Sequence, residues 1–225
     1  MFSIWTVALS NHSQSTRPLF IIGAGGFGKT VASLAKTDDA SGRDWVVKGF
    51  LDNRSGLSSP SDLPVIGDPL TYKSNQAEVF ICALGDPQMK RRYSANLIKQ
   101  GGTFISLLPE AAIGDRAKIS RGCIFERKIG IGTDTFIDEF VTILSMTIIG
   151  YGVRIGQFCQ IGSFVFIGGN VSIGNDVTIH PHSTIAPGIS VGSGAVIGAG
   201  SVVLRDVPAN TTVFGNPARV VFVRG

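Results

Sequence analysis

Long apolar runs are missing from this 225-residue chain. No stretch approaches the roughly 18 consecutive apolar residues that a membrane-spanning helix needs, so no membrane partner is expected. Charge of one sign is not concentrated either. The formal net charge is +4, and no run of five or more Lys/Arg occurs. That balance suits small anionic ligands and argues against nucleic acid. Cysteines number three, at Cys82, Cys123 and Cys159. Their spacing matches no metal motif and their odd count makes a poor disulfide framework, so a reducing cytoplasm is the expected compartment and no metal is expected. Histidine is equally scarce, with only His12, His180 and His182. The first residues, MFSIWTVALS, carry no Lys or Arg and no clear cleavage site. They read poorly as a signal peptide, and residues 1–17 are expected to form a flexible extension.

Glycine is abundant, at 29 residues, and a repeat explains it. Reading every sixth residue from Ile113 to Val203 gives sixteen positions, all Ile, Val or Phe. Chance would produce sixteen apolar hits on the order of one time in a million. Gly often follows, as at Gly114, Gly132, Gly150, Gly162 and Gly198. Six residues make one short strand and one turn, and three such units close a triangular coil. The aliphatic residue points inward and stacks on its equivalents, the following Gly is expected to supply turn dihedrals, and neighbouring coils pair in parallel. The pattern resembles the hexapeptide-repeat acyltransferases. So does the ending Asp206-Val207-Pro208-Ala209-Asn210 with Gly215-Asn216-Pro217-Ala218-Arg219. That resemblance implies a left-handed parallel β-helix over residues 108–205, a C-terminal tail over 206–225, packing as a homotrimer, and acyl-CoA bound between two prisms.

Residues 18–107 alternate strand and helix. Strands are expected at Pro18 to Ile22, Trp45 to Leu51, Ala77 to Leu84 and Thr103 to Leu107, and helices at Lys29 to Lys36, Asp68 to Asn75 and Pro87 to Gln100. This is an α/β, Rossmann-like domain. Between its first strand and helix lies Gly23-Ala24-Gly25-Gly26-Phe27-Gly28, whose glycines let backbone N–H groups approach a phosphate at a helix N-terminus. Asp52 follows the second strand, where an acid can bond a ribose hydroxyl.

The two halves together resemble the bacterial sialic-acid O-acetyltransferase and bacillosamine-pathway N-acetyltransferase group (NeuD/PglD). The resemblance implies that residues 18–107 hold a nucleotide-linked sugar through Gly23, Gly25, Gly26, Phe27, Asp52, Asn53 and Gly85. It implies acetyl-CoA, or another acyl-CoA, as co-substrate, contacted by Gln160, Pro181 and Ala199. It implies acyl transfer to an amine for surface-glycan assembly. The family's catalytic His-acid pair falls on Tyr151 and Gly152, and another family His falls on Gln160. Three readings stay open. His180 or His182 takes over as base. A neutral amine attacks unaided while Gln160 or a backbone N–H holds the oxyanion, with Tyr151 as a hydrogen-bond donor. Or the protein binds a nucleotide without transfer, or serves a non-sugar acceptor. Outside these sets, Lys90, Arg91 and Arg92 read as surface, and so do Arg121, Arg127 and Lys128. Cys159 reads as packing, and Asp134, Asp138 and Glu139 as a solvated turn.

Overall fold

A computed structural model describes residues 16–54 and 63–224. The expected extension therefore falls almost wholly outside the described residues. Its last residue, Arg17, opens a strand.

The first unit contains β1 (Arg17–Ile22), α1 (Gly26–Thr37), β2 (Trp45–Leu51), β3 (Val65–Gly67), β4 (Val79–Cys82), α2 (Pro87–Lys99) and β5 (Thr103–Phe104). The sheet order is β3-β2-β1-β4-β5, parallel throughout. Strands such as Val79-Phe80-Ile81-Cys82 are apolar without alternation because helices cover both faces. The expected helix at Asp68 to Asn75 is absent. Asp68 instead turns the chain, its Oδ1 accepting from the N–H of Leu70 at 2.8 Å. A short polar side chain that bonds its own backbone two residues on favours a turn over a helix.

The second unit is a left-handed parallel β-helix of sixteen two-residue strands, from β6 (Ala112–Ile113) to β21 (Val202–Val203). Its first face starts at β6, its second at β7 (Lys118–Ile119) and its third at β8 (Ile124–Phe125). Phe136 pairs with Arg154, and Arg154 with Ser172, so a coil takes 18 residues. The sixfold residues from Phe125 to Val203 are buried and fill the prism. Ile113 does not follow them; it is 44% exposed because no coil lies below it. The expected C-terminal tail contains two strands. β22 (Thr211–Gly215) extends the third face in parallel, and β23 (Ala218–Val223) turns back antiparallel upon it.

The glycines act differently from the sequence expectation. The left-handed turn residue is not the one after the aliphatic position. Every sixth residue from Arg116 to Gly200 has positive φ, and most of these carry side chains, including Phe140, Phe158, Phe164 and His182. The glycines after the aliphatic positions are needed for close approach instead. A Cβ on Gly132 would overlap the backbone of Gly150 and Tyr151, and one on Gly162 would lie 2.6 Å from the nitrogen of Pro181. Coil-to-coil hydrogen bonding sets that spacing, as in Gly132 N–H to Ile149 O at 2.8 Å.

The two units share one packed junction on the third face and the corner before it. Phe104 meets Phe140 edge-on at 4.9 Å, and Phe140 stacks on Phe158 at 4.9 Å. Lys90 and Arg91, expected at the surface, belong to this junction. Lys90 is 1% exposed. Its Nζ donates to Thr142 Oγ1 at 2.9 Å, to Phe140 O at 3.1 Å and to Cys159 O at 3.4 Å. Burial pushes its pKa down to about 8. Arg91 donates to both oxygens of Asp176 and lies over the Phe158 ring. Among the described residues no helix is long and apolar enough to cross a membrane.

Candidate functional site

The order of the first sheet reverses between β1 and β4, and a crevice opens there at the strand ends. Its volume is about 430 Å³, and its lining includes Gly23, Gly25, Gly26, Phe27, Asp52, Asn53, Arg54, Gly85, Met89 and Tyr93. Every residue expected to hold a nucleotide-linked sugar is therefore on one wall or another of the same cavity.

The Gly-rich loop is shaped by contacts that exclude side chains. Gly23 has φ +99 and would place a Cβ 2.9 Å from the carbonyl oxygen of Ala83. Gly28 packs its Cα against the backbone of Gly23. Gly25 caps α1 without any side-chain hydrogen bond, and no acid occupies the first turn. The leading amides of α1 are thus left for an anion, which the helix dipole also favours. α2 contrasts with it. Asp86 caps α2 by accepting from Met89 N–H at 2.7 Å, with proline in the first turn.

Asp52 is the electrostatic centre of the cavity. Burial alone would raise its pKa, but hydrogen bonds from Arg54, the N–H of Ala24 and the N–H of Arg54 outweigh burial and lower it to about 2. Nothing in the sequence reading singles out Arg54. A basic residue two positions beyond the acid that ends β2 is the signal that would find it.

The candidate acyl-transfer residues are distributed over the prism. His180, Pro181, His182 and Ala199 lie on the corner between the third and first faces. His182 stacks flat on Phe164, with ring centroids 4.9 Å apart, and both rings stand on left-handed turn residues. His180 is exposed. Gln160 lies on the third face, between Thr142 and Thr178, and its Oε1 is buried without a partner. Tyr151 sits on the corner between the first and second faces, 60% exposed, its ring against Gly169. One chain therefore does not bring Tyr151 to His180 and His182. Cys159 is packing: burial pushes its thiol up to about 12. Asp134 and Glu139 are taken up by Arg116 and Arg121 in ion pairs between successive coils.

Among the described residues no group of three or more His, Cys, Asp or Glu could hold a metal ion.

Comparisons with known proteins agree with this architecture. The PglD N-terminal domain model matches residues 18–97. The bacterial transferase hexapeptide model matches 152–187 and 170–205. No curated protein sequence matches. Among solved structures, the acetyltransferase domain of PglB from Neisseria gonorrhoeae, in complex with acetyl coenzyme A, is similar. It has 29% identity and a TM-score of 0.82, over 92% of this chain and 100% of that one. PerB from Caulobacter crescentus, in complex with CoA and GDP-perosamine, has the same fold. Its identity is 23% and its TM-score 0.81, over 91% of this chain and 97% of that one. The chain thus carries a PglD N-terminal domain over residues 18–97, docked on bacterial transferase hexapeptide repeats, and is similar over 92% of its length to an acetyltransferase domain.

Proposed function

We propose that this protein moves an acetyl group from acetyl-CoA to the amine of a nucleotide-linked amino sugar, in the cytoplasm, for assembly of a surface glycan. The observation that carries the reading is the pairing of a phosphate-type loop cavity with a transferase prism across one packed junction. α2 carries Met89 and Tyr93 on the cavity wall and Lys90 and Arg91 into the prism. Residues 18–107 hold the nucleotide-linked sugar, and the coils of 108–205 hold acyl-CoA. The solved relatives fit this division: PerB is complexed with CoA and GDP-perosamine, and the PglB domain with acetyl coenzyme A.

The working unit is a homotrimer. Met146, Ile148, Phe164 and Phe166 form an exposed apolar patch along the first face and its leading corner, each between 43% and 51% exposed. A patch of that kind on a prism calls for a protein surface to cover it. Pairing two prisms along their edges also gives Tyr151 of one chain a route to the histidine corner of another.

In the reaction the amine nitrogen attacks the thioester carbonyl carbon. The amine's proton goes to a base, the C–S bond breaks, and the base returns that proton to the departing sulfur, so that CoA leaves as the thiol. We assign that base to His182, whose ring is held by stacking on Phe164. Gln160 and Pro181 flank the thioester arm, with Ala199 in the adjoining coil, and the Gln160 amide donates to the oxyanion. Incubating purified protein with acetyl-CoA and a panel of nucleotide-linked amino sugars, and following thiol release, tests the activity. Turnover with at least one sugar is expected, from a particle that light scattering sizes as a trimer. His182→Asn is expected to lower kcat about a hundredfold, the size of a lost general base, and His180→Asn to change it little. If neither substitution slows turnover, unaided attack by a neutral amine replaces the histidine assignment. Failure of every sugar beside an active relative would overturn the activity itself and leave a nucleotide-binding homologue.

A further inference from the structure

Asp52 stands where a dinucleotide-type fold places the acid that bonds ribose, yet its lone pairs are already taken. Oδ1 accepts from the Arg54 backbone N–H at 3.0 Å and from Arg54 Nε at 2.9 Å. Oδ2 accepts from the Ala24 N–H at 2.7 Å and from Arg54 Nη2 at 2.7 Å. A carboxylate oxygen accepts about two hydrogen bonds comfortably, so a ribose hydroxyl has no open place on this group. The Asp52 side chain is 5% exposed, while that of Arg54 is 54% exposed. The ion pair therefore turns its cationic side outward. It turns it toward the Gly-rich loop: a Cβ built on Gly25 would lie 3.4 Å from Nη2 and 4.0 Å from Nη1. Nη1 takes part in none of the Asp52 bonds.

We propose that Arg54 is a ligand-selecting residue that contacts the diphosphate of a nucleoside-diphosphate-linked substrate, and that Asp52 is a positioning residue that aims Arg54 and braces the loop. The inference rests on reading the cavity as a nucleotide site and deepens it. The diphosphate lies between the leading amides of α1 and the guanidinium, which presents a planar pair of donors to phosphate oxygens. Because Asp52 faces no ribose hydroxyl, the site accepts ribose and 2′-deoxyribose diphosphates alike.

Calorimetry separates the possibilities. The full-length protein is titrated with GDP, dGDP, UDP and dTDP, and with the matching nucleosides. At least one diphosphate is expected to bind, the matching nucleoside far more weakly, and GDP and dGDP within about twofold of each other. Arg54→Gln is expected to weaken diphosphate binding roughly ten- to hundredfold, the loss of a charge-assisted contact, and Arg54→Lys less so. Asp52→Asn is expected to weaken the same ligands without creating a preference between ribose and deoxyribose. Diphosphate affinity unchanged in a folded Arg54→Gln protein would overturn the inference and leave the nucleotide reading standing. So would a strong ribose preference that Asp52→Asn abolishes. Absence of binding by the unaltered protein to all four diphosphates would overturn the nucleotide reading, and this inference with it.

Discussion

Gly28→Val is expected to abolish nucleotide binding while the β-helix stays folded. Gly28 is buried in the first turn of α1, and a Cβ there would overlap the carbonyl oxygen of Gly23 and approach Phe50. Neither neighbour is the free end of a flexible side chain. The loop must separate from the helix, which costs about 3 kcal/mol or more of local stability. With the loop displaced, the leading amides of α1 no longer converge with Arg54. Calorimetry with nucleoside diphosphates is expected to show a loss exceeding about a hundredfold. Circular dichroism should meanwhile retain the strand signal of the prism, whose core shares no residue with the loop. Binding within twofold of the unaltered protein would show that the Gly-rich loop is not the binding element.

Phe140→Ala is expected to loosen the first unit from the prism. Phe140 is fully buried between Phe104 of the first unit and Phe158 of the next coil. Its removal costs about 3–5 kcal/mol, which corresponds to a fall of roughly 10 °C in melting temperature at this chain length. Phe140 also occupies a left-handed turn, with φ +59. Phe140→Gly, which relieves that backbone, is therefore expected to recover about 1 kcal/mol relative to Phe140→Ala. Scanning calorimetry checks both. A change below about 2 °C would show that the junction adds little to stability. Acyl transfer should fall in Phe140→Ala even where each unit is folded, because the sugar held in one unit must reach a thioester held on the other.

Much of this was legible in the amino-acid sequence. The sixfold repeat was visible because inward-facing positions along a prism tolerate only residues that fill it, and the period of a coil is imprinted at every step from Phe125 to Val203. The cavity was visible for a similar reason: the Gly23–Gly28 loop, Asp52 and Gly85 each end a strand of one parallel sheet. Legibility stopped where chemistry depends on which surfaces face each other. Lys90 and Arg91 read as surface residues because a charged helix face normally is one, and nothing local announces Phe140, Thr142 and Asp176 opposite. The role of the coil glycines was misplaced because stacking distance, unlike a turn, has no signature within one repeat. Arg54 escaped because its meaning comes from saturating Asp52, a contact fixed by the loop's three-dimensional path.

The amino-acid sequence alone determined the coil, the Rossmann-like sheet and the place of the phosphate loop, since each is dictated by spacing along the chain: every sixth side chain inward, glycine wherever backbone must approach backbone. Only the tertiary structure decided which groups meet. It buried Lys90 between its own helix and the prism, and it turned Arg54 toward the loop. The burial of Lys90 depends on the relative placement of two packed units, which follows from the summed fit of distant surfaces, and the aim of Arg54 depends on the three-dimensional path of the loop beside it.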